Sequence, residues 1–365
     1  MSGAIPSVDG ILSAADVEQT AAAIASWQLP NGMIPWFPGG HADPWNHVEA
    51  AMALDLAGLT DEAIRAYQWL VDVQRPDGSW HQYYLATGIE QDKLDANTIA
   101  YFAAGIWHHW LLTSDLRFVE SMWPTVERAI DFVLDLQTPR GEILWARHAD
   151  GTPWSFALLT GSSSMCHSLR CAIAIARLLD HERPDWELSA ARLAHVIREH
   201  VHGRAADAFA PKARWAMDWY YPVLGGVLPR AEAIAHLDAR RDTFVVEGRG
   251  VRCVSDRPWI TAAETCECLM AELSVGNRTQ ALRLFEWAQA LRDDDGHYFT
   301  GIVFPDEVHF PADERTTYTD AAIVLAADAI SRTSLAAGLF TDHDALPPLV
   351  DIDLDTDDSI SDRRD

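Results

Sequence analysis

Apolar residues recur three or four positions apart through most of the chain, and alternating apolar and polar runs are few and short, so the pattern predicts an all-α protein. Twelve helices are expected, near residues 13–27, 44–58, 60–74, 94–113, 117–137, 162–180, 186–201, 216–224, 229–241, 259–275, 277–292 and 315–334. Asp61 and Asp115 read as capping residues, and Pro124, Pro184 and Pro258 fall near expected helix starts, where a missing N–H costs least. Links from even to odd helices are short, whereas links from odd to even helices run to about twenty residues.

One phrase recurs at helix ends: a turn, a glycine, then an aromatic. It occurs from Trp27 through Gly32 to Trp36, from Gln74 through Gly78 to Trp80, from Gln137 through Gly141 to Trp145, and from Arg292 through Gly296 to Tyr298. Glycine supplies the left-handed backbone that stops a helix, and the spacing divides the chain into about six helical hairpins. The expected architecture is an (α/α)6 barrel of six inner and six outer helices, with the long loops gathered at one end; a sheet of more than three strands in the core would contradict it, whereas a few short hairpins in the long loops would not. No Pro/Gly/Ser linker interrupts residues 13–332, so residues 1–339 are expected to form one barrel, and the Asp-rich residues 340–365 a disordered tail.

No apolar run reaches the ~18–20 residues of a membrane helix. The stretch Met1 to Ile11 has neither a basic nor an apolar region of a signal peptide, which makes the cytoplasm the expected compartment. Cys166, Cys171, Cys253, Cys266 and Cys268 contain no CxxC pair and fit reduced thiols. A formal charge of −26 repels phosphate backbones and anionic lipid surfaces, which excludes nucleic acid and membranes as expected partners and leaves neutral ligands. Fifteen tryptophans in so polar a chain point to flat rings used for stacking as well as packing. Many fall in the long loops or at the adjoining helix starts, the profile of a cleft for an oligo- or polysaccharide. Metal and nucleotide signatures are absent, and no cofactor is expected.

Glycoside hydrolysis requires a protonated carboxyl on the leaving oxygen and a second carboxylate that activates water or attacks the sugar. Asp43 opens the second expected helix beside His41, Trp45, Asn46 and His47, where it serves equally well as an N-cap or as a catalyst. Glu264 and Glu267 lie in the first turns of the tenth, largely apolar helix, where acids are costly unless paired or used. Glu264 is the candidate general acid and Asp43 the candidate base; a buried pair with Arg252 is the competing role for Glu267. Trp36, Trp80, Tyr84, Asp95, Trp154, Asp218, Trp219, Tyr220, Tyr221, Trp259 and Tyr318 are candidate sugar contacts, with Asp92 and Asn97 nearby. Lys212, Arg214, Arg249 and Arg252 are cations close to the mouth that either meet ligand or tie loops together. His108 and His109 sit mid-helix, and at least one reads as a core histidine.

Two resemblances follow. Gln74–Trp80 resembles the QW repeat of squalene-hopene cyclases, which implies a prenyltransferase-like barrel. Their DxDD motif is matched only by Asp355–Asp358, inside the acidic tail, so the repeat marks helix-barrel turns and not that chemistry. Leu94–Asn97, Trp107–Trp110, Trp123–Ala129 and Gly141–Ile143 resemble the central helices of glucoamylase-like (α/α)6 glycoside hydrolases. With Met217–Pro222, Gly250–Val254, Ala263–Glu267 and Thr316–Thr319 added, residues 5–335 resemble a narrower actinobacterial family of methylmannose polysaccharide hydrolases. That resemblance implies endo-acting, inverting hydrolysis of α-(1→4)-linked, O-methylated mannan. A terpene cyclase and a non-catalytic glycan-binding barrel are the alternatives: the first needs an acidic motif in a dry cavity, the second no close carboxylate pair.

Overall fold

The computed structural model describes residues 4–350. Its helices are α1 (Ala14–Trp27), α2 (Pro44–Leu56), α3 (Thr60–Val73), α4 (Ala96–Ala100), α5 (Phe102–Thr113), α6 (Leu116–Leu134), α7 (Leu159–Leu178), α8 (Pro184–Val201), α9 (Met217–Leu224), α10 (Arg230–Phe244), α11 (Ala262–Ser274), α12 (Arg278–Ala288) and α13 (Thr317–Ser331). The segments α4 and α5 are two pieces of one expected helix, broken at Tyr101. Every other expected helix is present, with ends shifted by a few residues.

Six helices close a ring in the order α2, α5, α7, α9, α11, α13 and back to α2, each packed on the next. The inner members α7 and α13 are buried on nearly every side, whereas the outer α3, α6 and α12 bury one stripe. Asp43 caps α2, Asp95 caps α4 and Asp115 caps α6. Asp61 lies inside the first turn of α3 without capping it, and Pro124 sits in the interior of α6 and not near its start; of the three prolines only Pro184 takes the first position of a helix.

The recurring glycine turn is a joint between neighbouring hairpins. Gly78 has φ +89°, and a Cβ there would stand 2.2 Å from the Arg128 carbonyl oxygen on α6. Gln74 Nε2 donates both to Gly78 O and to Thr125 O, at 3.0 Å each, which locks the turn to the next outer helix. Gln28 and Gln137 repeat the arrangement on Gly32 and Gly141. The QW-like phrase is therefore explained by helix packing.

The loops hold more sheet than their sequence suggested. Strands β1 (Tyr83–Leu85) and β2 (Gly88–Gln91) form one hairpin, and β3 (Leu94–Asp95) pairs with β4 (Ala146–Arg147). Strands β5 (Val245–Val246), β6 (Gly250–Arg252), β7 (Trp259–Thr261), β8 (Phe299–Val303) and β9 (Val308–Arg315) build a five-stranded antiparallel sheet at the mouth. Its strands come from two separate loops and most have two to five residues, too few for a period of two to register.

The expected disordered tail starts too early at residue 340. Phe340 and Leu346 are buried, Phe340 stacks on His167 at 4.9 Å, and buried Arg170 donates to the carbonyls of His343, Leu346 and Pro347. Composition missed this because a few apolar residues suffice to dock a short strap when a buried guanidinium takes its carbonyls. The remainder of the expected tail, with Asp355–Asp358, lies outside the described residues.

Candidate active site

The long loops bring the starts of the inner helices to one rim. At the first of them Asp43 is a buried N-cap: its Oδ1 accepts Asn46 N–H at 3.0 Å, and its Oδ2 accepts Asn46 Nδ2 and Trp36 Nε1 at 2.7 Å each. Burial raises its pKa, against the three N–H donors that favour the anion. Around it Trp36 meets His41 at 4.4 Å and Tyr318 at 5.0 Å, both edge-on, while His41 stacks on Tyr83 at 4.1 Å. His41 Nδ1 lies 2.8 Å from Glu90 Oε2, and its buried Nε2 has no protein partner.

Beyond α13, on the next inner helix but one, Glu264 is half-buried in the first turn of α11, and burial raises its pKa. No N–H of another described residue donates to it. Its charge is felt by Tyr318, Tyr220 and Cys253, which places it on the same rim as the Trp36–Tyr318 pair.

One turn deeper, Tyr220 and Tyr221 of α9 both donate to Glu267, the latter at 2.5 Å. Glu49 of α2 stands opposite, accepting Trp45 Nε1 at 2.7 Å and the Tyr101 hydroxyl at 3.0 Å through Oε1. Burial, and then the charge of Asp43, pushes Glu49 up to about 7; burial and the charge of Glu49 hold Glu267 well above the carboxylate range. Asp43, Glu49, Glu267 and Glu264 thus form a connected set of four carboxyls. Beneath them Glu49, Glu267, Tyr101, Tyr221 and Ser164 line a cavity of about 20 Å³, room for a single water.

A second group lies beside α4, α7 and α9. Buried Asp95 meets Lys93 Nζ at 3.5 Å, and that ammonium sits 3.6 Å from the centroid of Trp145, which meets Trp154 edge-on at 4.8 Å. Asp218 Oδ1 accepts both the N–H and the hydroxyl of Thr160.

Several sequence candidates do not reach the mouth. Trp80 is fully buried and donates to Leu70 O, and Trp219 is fully buried, stacked on Phe244 with its N–H on Leu237 O. Both indoles are core residues at the feet of the loops, where a loop tryptophan reads the same in sequence whichever way it points. Tyr84 turns away to take His81 N–H and pack on Trp69. The Glu267–Arg252 pair does not form; tyrosines satisfy Glu267, and Arg252 is half-buried on β6. Arg214 and Arg249 tie loops through Asp256 and Glu307. Trp259 stacks on Phe310 at 4.5 Å within the sheet. His47 faces outward, accepting Ile34 N–H and bonding Ala66 O. His109 is a core histidine paired with Asp55 at 2.6 Å.

Sequence reasoning missed Glu49. The signal was present: an acid in an Ala-rich inner helix, one turn after Trp45 and so on the same face, is the argument that singled out Glu264.

No family model matches the chain. MMP endo-(1,4)-3-O-methyl-alpha-D-mannosidase of Mycolicibacterium hassiacum is 50% identical over 337 residues, 92% of this chain and 92% of that protein. Among solved structures, a GH63 mannosylglycerate hydrolase from Thermus thermophilus in complex with glucose superposes with TM-score 0.66 at 11% identity, covering 85% of this chain and 99% of that one. A D-mannose isomerase superposes with TM-score 0.67 at 14% identity, covering 87% and 97%. Hydrolase and isomerase share this barrel, so the fold alone does not choose the reaction.

Proposed function

The chain belongs to the family of the Mycolicibacterium hassiacum MMP endo-(1,4)-3-O-methyl-alpha-D-mannosidase, and from that premise we propose that it is a glycoside hydrolase cutting α-(1→4) bonds inside O-methylated mannose polysaccharide. The observation that carries the reading is the unequal dressing of two carboxyls at one rim. Burial raises both, but Asp43 receives three N–H donors that favour its anion, whereas among the described residues Glu264 is favoured as an anion only by Thr261 and its own backbone. Glu264 is the general acid that protonates the leaving oxygen. Asp43 is the base that takes a proton from water, and attack from the face opposite the leaving group inverts the anomeric carbon.

Glu267 and Glu49 sit one turn below, where burial favours their neutral forms and the tyrosine hydroxyls hold Glu267, so Glu264 does not face two free anions. Trp36, His41, Tyr318 and Trp45 offer aromatic faces to a sugar ring, and Asn46, Asp95, Trp154, Asp218 and Arg252 complete the proposed contacts. The five free, buried thiols support a cytoplasmic setting as part of this reading.

Incubation with 3-O-methylated α-(1→4)-mannan, unmethylated α-mannan and α-glucan, read by new reducing ends, tests the proposal. New ends from the methylated mannan are expected, with the first-formed anomer inverted by proton NMR. Absence of cleavage on all three polymers would overturn it.

A further inference from the structure

Beside the carboxyl cluster lies a pocket of about 240 Å³ walled by Trp145, Leu158, Trp215 and Met217, with Thr160, Lys212 and Asp218 at its edge. That is somewhat below the ~300–1,000 Å³ of sites for whole drug-sized ligands and suits one sugar ring. Its position follows from the ring: Thr160 and Asp218 lie in the first turns of α7 and α9, and α9 packs on α11, which carries Glu264. The backbone of Trp215 bridges Val254, next to Cys253, whose thiol feels the Glu264 charge.

We propose that this pocket is a subsite that selects an O-methylated sugar ring over its unmethylated counterpart. The proposal rests on the glycosidase reading above and names which part of the site reads the methyl group.

The chemistry of the lining carries the argument. The accessible lining is mostly carbon. Thr160 spends both its N–H and its hydroxyl on Asp218 Oδ1, at 3.2 and 2.7 Å, so the threonine offers nothing to a ligand and only Asp218 Oδ2 is left at the pocket's edge. A free sugar hydroxyl pressed against this wall gives up water without receiving a partner, which is costly. A methoxyl has no proton to satisfy and buries its carbon against indole and thioether. Trp145 is held for this purpose by the Lys93 ammonium at 3.6 Å and by Trp154 at 4.8 Å, whereas Trp215 is 42% exposed, an unusual placement for so large an apolar ring. Lys212 makes no ion pair among the described residues and is positioned to meet the ring's remaining oxygens.

The test uses matched α-(1→4)-mannose oligosaccharides with and without 3-O-methyl groups, with kcat/KM measured by reducing ends and Kd by calorimetry. For the intact chain the methylated series is expected to be favoured roughly tenfold or more in both quantities, the lower end for one carbon in an apolar pocket. Trp215→Ala, at an exposed position where the fold tolerates truncation, is expected to bring the ratio toward one, and Met217→Gln to do so by improving the unmethylated series. A ratio near one in the intact chain, or a ratio that Trp215→Ala leaves unchanged, overturns the proposal. If neither series is cleaved, the hydrolase reading fails separately, and the Kd ratio and its response to Trp215→Ala still decide this one.

Discussion

The indole nitrogen of Trp36 donates to Asp43 Oδ2 at 2.7 Å, the same oxygen that accepts Asn46 Nδ2. The bond favours the Asp43 anion in a place where burial opposes it. Trp36→Phe keeps the aromatic face and deletes only the donor, so the acidic limb of the kcat–pH profile should move to higher pH. Asp43→Asn and Glu264→Gln should each lower kcat by about 10²–10³, the scale of lost acid–base catalysis, with ligand Kd nearly unchanged by calorimetry. Wild-type turnover in Glu264→Gln on a confirmed substrate would transfer the acid role to Glu267.

Glu49 gives a pH dependence whose sign follows from its environment. The folded chain holds this proton to about pH 7, against 4.5 for an ordinary glutamate. Between those values the unfolded chain sheds a proton that the folded chain keeps, so stability falls as pH rises from about 4.5 to about 7 and then levels off. Glu267, also raised, acts in the same direction. Glu49→Gln retains the Oε1 acceptor for Trp45 and Tyr101 and removes the charge. Its melting temperature should exceed that of the wild type at pH 8 and match it at pH 5; equal differences at both pH values would show that Glu49 titrates normally.

The helices were legible because their period persists over many residues and because glycine turns punctuate them. Ring closure was legible from the alternation of short and long links. What escaped the sequence was orientation: Trp80 and Trp154 both follow glycine turns, yet one donates to a core carbonyl while the other stands half-buried in the group beside Trp145. A one-dimensional pattern does not say which way a loop indole turns. The sheet β5–β9 was hidden for a related reason, since strands such as Val245–Val246 exist only through partners distant in sequence. Glu264 stood out as an acid in an apolar helix and Asp43 as an acid at a helix start; the bonds that distinguish their surroundings required the fold.

The Gly78 joint can be tested against a glycine of similar φ and different surroundings. Gly151 has φ +93° and nothing within 4 Å of an added Cβ, whereas at Gly78 the Cβ would meet Arg128 O at 2.2 Å. Gly151→Ala should cost about 1–2 kcal/mol, the strain of a left-handed residue. Gly78→Ala carries that strain plus a backbone clash and should cost well beyond it in urea denaturation. Equal costs would mean that the turn shifts freely, and that the recurring phrase is not a packing joint.

The strap after α13 makes the final prediction, since Arg170 ties it to the barrel. A chain ending at Val350 retains the buried Phe340 and Leu346 and the carbonyls of His343, Leu346 and Pro347 on that guanidinium. Ending at Leu339 removes two apolar side chains worth roughly 1.5–3 kcal/mol each when buried, and strands a buried cation without its acceptors. The shorter chain should melt several degrees below the chain ending at Val350 and be cleaved faster by protease. Phe340 also lines the small cavity that Glu49 and Glu267 share, so its loss opens that cavity to water and should bring Glu49 back toward an ordinary carboxylate. The pH dependence of stability then becomes the more telling readout: a general loss of packing lowers the melting temperature equally at pH 5 and pH 8, whereas loss of the seal over Glu49 also flattens the slope between them.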